Sequence, residues 1–173
     1  TPLKNLYSNN LSNIDENYKE IQINLSEITT KNLDLLARQY RLTISTLVQG
    51  AWAILLSHYS GKNNVVYGFT TSGRPVDLER SESIVGEMVN TLPVSVKVNM
   101  DEYLLPWLQQ LQNQLVDLRE YEYYPLVDIQ KCSKVPGNTP LFESFIVFEN
   151  QKTGQFLEEW GSLNISEKTD YYK

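Results

Sequence analysis

Residues 43–75, TISTLVQGAWAILLSHYSGKNNVVYGFTTSGRP, constrain this chain more than any other stretch. From Leu47 to Tyr59 the apolar positions Leu47, Val48, Ala51, Trp52, Ile54, Leu55, Leu56 and Tyr59 fill most of a helical circumference. Such a pattern predicts a central helix buried on nearly all sides. Gly61 stands where a left-handed C-cap belongs, and Lys62, Asn63 and Asn64 supply the connection. Val65 to Phe69 is then a continuous apolar run of strand length, which suits a strand covered on both faces. It runs into Thr70, Thr71, Ser72, Gly73, Arg74 and Pro75, small polar groups and one cation at a strand's carboxyl end. Open α/β sheets place ligands at that end, so the turn is the first candidate site.

The flanking sequence fills in an α/β order. Alternation of Ile21, Ile23 and Leu25 with Gln22 and Asn24 predicts a half-buried strand over 20–25. Thr29 or Thr30 is expected to cap an amphipathic helix carrying Leu33, Leu36, Ala37 and Tyr40 on one face. After the charged loop 77–83, Ile84, Val85, Met88 and Val89 fit a short helical face, and Leu92, Val94, Val96 and Val98 alternate as a strand. Pro93 lacks a ladder donor, which places it at that strand's start or at a sheet edge. Asn90 and Thr91 lie at the junction, where Asn90 reads first as a turn former. Leu104, Leu108, Leu111, Leu115 and Leu118 form a stripe on a helix with Pro106 in its first turn, and the stripe is short enough to be core rather than coiled coil. A short helix opens at Pro125, a strand is expected over 142–148, and the tail beyond Glu149 is polar apart from weak alternation over 162–166. Together these predict a mixed sheet with packed helices, a single α/β lobe with its core at about 20–150 and loosely held polar termini.

Bulk properties exclude several function classes. At 173 residues the chain can bury one sizeable core. Its formal charge of -6 argues against a nucleic-acid or anionic-membrane surface, since both call for clustered Lys and Arg. No apolar run reaches the ~18 to 20 residues that span a bilayer. One cysteine, Cys132, permits no intrachain disulfide, and the cytoplasm is the expected compartment. The first residues, TPLKN, read as the start of an excised piece.

Catalytic constellations are sparse. His58, the sole histidine, falls in the last turn of the central helix with no orienting carboxylate near it in sequence, so its expected role is structural. Cys132 has no base beside it and reads as a bystander thiol. One His and one Cys do not make a zinc set. Gly68 and Gly73 have the spacing of a phosphate-binding loop, but Arg74 and Pro75 stand where its Lys and its Ser or Thr belong, which argues against nucleotide binding.

Four blocks in register carry a resemblance: LTISTLVQGAWAILLSHYSGKNNVVYGFTTSGRP, SIVGEMVNTLPVSVKV, EYLLPWLQQLQNQLVDLREYEYYPLVDIQK and PLFESFIVFEN. Over residues 20–150 the chain resembles the C-terminal half of a condensation domain of nonribosomal peptide synthetases. The resemblance implies a chloramphenicol acetyltransferase-like lobe that completes a tunnel with an N-terminal lobe. Through that tunnel the family joins a carrier-bound acyl or peptidyl donor to an aminoacyl acceptor, forming an amide bond. It implies no directly bound cofactor, the 4'-phosphopantetheine arms of peptidyl carrier proteins as substrate carriers, and an adjacent adenylation domain as neighbour. The family's His-His-x-x-x-Asp-Gly signature belongs to the other lobe and does not occur here. Ser72, Gly73 and Arg74 match the family's Ser-Gly-Arg turn, and Gly86, Val89, Asn90 and Thr91 match its Gly-x-x-Val-Asn-Thr block. The resemblance makes Ser72, Gly73, Asn90 and Thr91 tunnel residues and gives Arg74 and Gly86 structural or interface roles. Three departures stand out: Ser95 replaces a common Arg, Leu126 and Val127 loosen the Tyr-Pro-Phe-Glu-like block, and the lobe's last strands are expected beyond Lys173. The last would leave an exposed edge that favours self-association. An epimerisation or cyclisation domain, a carrier-docking lobe and a stand-alone acyltransferase remain open beside this reading, although His58 is poorly placed for the last.

Overall fold

The computed structural model describes residues 20–74, 80 and 83–149. Along them run α1 (Glu27–Gln39), α2 (Ile44–Ser60), β1 (Asn64–Thr71), β2 (Asn90–Lys97), α3 (Leu104–Leu118), a 3-10 turn (Arg119–Tyr121), α4 (Leu126–Cys132) and β3 (Phe145–Val147). The strands make a mixed sheet in the order β2-β1-β3, with β1 antiparallel to β2 and parallel to β3. The apolar run therefore supplies the middle strand of the described sheet.

Register decides which side chains meet the helices. Val65 lies opposite Val96, Tyr67 opposite Val94 and Phe69 opposite Leu92. These residues share one face, since strand side chains alternate and antiparallel partners point the same way. Val65, Tyr67, Val94 and Val96 join Ala53 and Leu56 of α2 and Trp107, Leu108 and Leu111 of α3 in one core. Each large apolar side chain so buried contributes roughly 1.5–3 kcal/mol relative to exposure. The two helices approach closely at Gly50, where a Cβ would lie 2.5 Å from Leu108 Cδ2. Trp107 Nε1 donates to the Lys97 carbonyl at 2.8 Å and pins the start of α3 to the end of β2.

Pro93 sits opposite Gly68, and the Gly68 amide donates the other way, to Ser144 beside β3. The Gly68–Pro93 pair thus exchanges no ladder bond, and the proline nitrogen faces outward from an edge strand. Gly61 takes a left-handed conformation at φ 65° and caps α2, as read from the sequence.

Several expectations are corrected. Residues 20–25 form no strand; Ile21 and Ile23 are more than three-quarters exposed, because no described strand lies beside them to share the alternation. The cap of α1 is Ser26, not Thr29 or Thr30: its Oγ accepts from the Thr29 amide at 3.1 Å. No helix forms over 84–89, where Gly86 adopts φ 153° and Val85 is fully exposed. The central helix α2 is buried on one side only, through Thr46, Gln49, Gly50, Ala53 and Leu56, while Val48, Leu55 and Tyr59 face outward. The final strand is shorter than predicted, and the expectations for residues 1–19 and 162–166 lie outside the described residues.

Candidate functional site

A cavity of about 500 Å3 opens at the carboxyl end of β1, between the first turns of α2 and the last turn of α3. Strand and helices converge there because α2 and α3 cover the same face of the sheet. Thr43, Ser45, Thr46 and Gln49 line it from α2 and its cap, Phe69 to Ser72 from the strand end, and Arg119 and Glu122 from beyond α3.

Its walls are held by directed hydrogen bonds. Gln112 Oε1 accepts from the Thr43 amide at 2.8 Å and from Thr46 Oγ1 at 3.2 Å, while its Nε2 donates to the Arg41 carbonyl at 2.7 Å. The Tyr67 hydroxyl donates to Gln49 Oε1 at 3.1 Å, and Gln49 Nε2 donates to Ser45 Oγ at 3.1 Å. Tyr67 is fully buried, which raises its pKa and keeps the phenol neutral. Burial also raises the Glu122 carboxyl, and the Arg119 guanidinium partly offsets that rise.

The residues singled out at the turn divide by what they touch. Ser72 is exposed at the cavity and its Oγ accepts from the Arg74 amide at 3.5 Å. Gly73 is buried at φ 62°, and a Cβ there would run into the Met88 carbonyl, so only glycine fits. Arg74 Nη1 donates to the Ile84 carbonyl at 3.2 Å and ties the turn to the returning chain. Asn90 is half-buried: Nδ2 donates to the carbonyls of Glu122 at 2.9 Å and Tyr124 at 2.7 Å, and Oδ1 accepts from the Thr91 amide. Its donors are thus spent on protein rather than presented to the cavity. Thr91 pairs with Thr70 through their hydroxyls at 3.1 Å. Gly86 is exposed, with nothing near the place of a Cβ.

Sequence reading missed Ser45, Thr46, Gln49, Gln112 and Glu122. A usable signal existed: Thr46, Gln49, Gly50, Ala53 and Leu56 recur at three and four residues, a buried stripe whose first members are polar. His58 is exposed against Tyr59 and lines none of this cavity, and Cys132 is exposed at the end of α4. Among the described residues no group of His, Cys, Asp and Glu could hold a metal ion, and no helix is long and apolar enough to cross a membrane.

Comparison with known proteins decides the family, because the model of the condensation domain matches residues 3–171. The chain belongs to the condensation-domain family. A linear gramicidin synthase protein of Brevibacillus parabrevis is 53% identical over 138 residues, which cover 80% of this chain and 3% of that protein. Surfactin synthase subunit 2 of Bacillus subtilis (strain 168) is 34% identical over 145 residues, 84% of this chain and 4% of that one. Among solved structures, a holo four-domain nonribosomal peptide synthetase bound to AMP and glycine matches at TM-score 0.67 with 28% identity, over 78% of this chain and 10% of that one. The first condensation domain of the calcium-dependent antibiotic synthetase, in complex with a substrate analogue, shares the fold at TM-score 0.54 and 16% identity, over 66% of this chain and 24% of that one. The mixed sheet with packed helices is thus a condensation-domain architecture, of chloramphenicol acetyltransferase-like type. Condensation domains work with carrier proteins and adenylation domains inside multidomain synthetases, and this chain spans a few per cent of the length of such relatives.

Proposed function

We propose that residues 1–173 are the C-terminal lobe of a condensation domain, completing the tunnel in which a carrier-bound donor and an aminoacyl acceptor are joined by an amide bond. The observation that carries this reading is a cavity with mixed polar and apolar walls at the carboxyl end of the central strand, in a chain matched almost end to end by the condensation family. Ser72, at the cavity, is the residue of the turn that contacts substrate. Gly73 lets the turn approach the Met88 backbone, and Arg74 holds it to Ile84. Asn90 and Thr91 act as positioning residues, Asn90 by fixing the segment after α3 that brings Glu122 to the cavity wall. Short uncharged polar groups suit this task, since they orient an amine nucleophile without protonating it.

Proton transfer from the attacking amine needs a base, and the exposed His58 lines none of the cavity. The His-His-x-x-x-Asp-Gly lobe of the same synthetase would supply that base, and the carrier proteins would bring both substrates on phosphopantetheine arms. In a synthetase carrying this chain, with both carriers loaded, a new amide product on the acceptor carrier is the expected result. Ser72→Ala is expected to slow its formation, whereas Lys31→Ala, on the exposed side of α1, leaves it unchanged. A wild-type synthetase that loads both carriers but forms no product would overturn the reading.

A further inference from the structure

The cavity wall holds a chain of hydrogen bonds whose direction is set at its buried end. Tyr67 is fully buried, and its hydroxyl donates to Gln49 Oε1 at 3.1 Å. The opposite setting of the amide would leave the phenol hydrogen without an acceptor, an expensive omission in a dry core. With its oxygen committed to Tyr67, the buried Gln49 turns Nε2 toward the first turn of α2 and donates to Ser45 Oγ at 3.1 Å. Ser45 is therefore an acceptor within the protein, and its own hydrogen must go elsewhere. The carbonyl four residues back, that of Arg41, accepts from Gln112 Nε2 at 2.7 Å and receives no bond from the Ser45 hydroxyl. What remains in front of Ser45 is the cavity that it lines.

We propose that Ser45 is a hydrogen-bond donor aimed into this cavity by Tyr67 and Gln49, and that it binds the carbonyl oxygen of the thioester-borne acyl or aminoacyl group. A hydroxyl whose hydrogen is directed into the cavity suits a hydrogen-bond acceptor at that point. Arg119 and Glu122, of opposite charge, line the same cavity, so it has no excess of positive charge to attract a free anion, and an uncharged carbonyl is the matching group. This inference rests on the tunnel reading above and adds to it the residue that positions the substrate carbonyl.

The test uses the synthetase that carries this chain and two stable analogues of an aminoacyl-pantetheine arm, one with an amide carbonyl in place of the thioester and one with a methylene there. Calorimetry is expected to show that Ser45→Ala weakens the carbonyl analogue about 3- to 10-fold, the worth of one hydrogen bond, and leaves the methylene analogue unchanged. Ser45→Thr retains the preference for the carbonyl. Tyr67→Phe weakens the carbonyl analogue in the same direction and adds nothing in a Ser45→Ala background, because both act on one donor. Ser45→Ala weakening both analogues equally, or neither, overturns the inference while leaving the tunnel in place, as does full additivity with Tyr67→Phe. A wild-type synthetase that binds neither analogue overturns the tunnel reading, and this inference with it.

Discussion

Gly73 carries two demands at once, a left-handed backbone and contact with the Met88 carbonyl, so Gly73→Ala meets strain that no rotamer change relieves. The variant is predicted to lose at least ~1–3 kcal/mol of stability, read from the midpoint of denaturant unfolding; an unchanged midpoint would contradict the geometry. Asn90→Ala removes the donor that satisfies the Glu122 and Tyr124 carbonyls. A loss of about 1–3 kcal/mol is expected, with amide exchange faster in the segment after α3 than in β1. Glu122 gives a prediction with a sign. Its folded pKa is raised by burial, so the native state holds the proton more tightly than the unfolded chain does. The stabilisation from the protonated carboxyl is complete below the ordinary carboxylate pKa and is lost as pH rises through the raised folded value. Glu122→Gln should therefore flatten that fall: melting temperatures of variant and wild type would differ more at pH 7 than at pH 4, and a constant offset would refute it. Of these residues, the sequence showed that Gly73 and Ser72 end a buried strand, because that follows from local pattern. It did not show where the Asn90 amide goes, because the carbonyls it reaches are 32 and 34 residues away.

Elements were legible in proportion to how local their causes are. α2, its glycine cap, β1 and the leucine stripe of α3, apart from the exposed Leu104, follow from periodicity and capping within their own span. The strand over 20–25 failed because alternation states only that a strand would have two faces, while a strand also needs a partner that local sequence does not name. The helix over 84–89 failed because a few apolar positions at helical spacing carry little weight without a cap and with Gly86 between them. The one-sidedness of α2 was hidden by its outward Val48, Leu55 and Tyr59, which raise its apolar content without joining the core. Gly68 joins β1 to β3: a Cβ there would lie 2.6 Å from Phe142 Cε2 and 2.8 Å from Phe145 Cβ. Gly68→Val is expected to push β3 off the sheet at about 1–3 kcal/mol, with the Gly68–Ser144 hydrogen bond lost to exchange first. Retained protection at position 68 would show that β3 can yield without detaching.

At the scale of the molecule, both outer strands of the described sheet, β2 and β3, border no further described strand. Exposed Ile21, Ile23 and Leu25 and the outward residues of α2 add apolar surface. The isolated chain is predicted to bind a hydrophobic dye and to gain mass with concentration in light scattering, despite a charge of -6 that opposes association. A dye-silent monomer at high concentration would contradict this. Gln112 leads to a last consequence, one of timing. Its side chain on α3 holds the Arg41 carbonyl and the Thr43 amide, so the corner between α1 and α2 is closed by a residue some seventy positions downstream. Helix α2 can form early from its own propensity, but its start is locked only once α3 docks. The chain is therefore expected to acquire its cavity and its core in one cooperative event, with Thr43 gaining exchange protection during refolding at the rate of α3 rather than of α2.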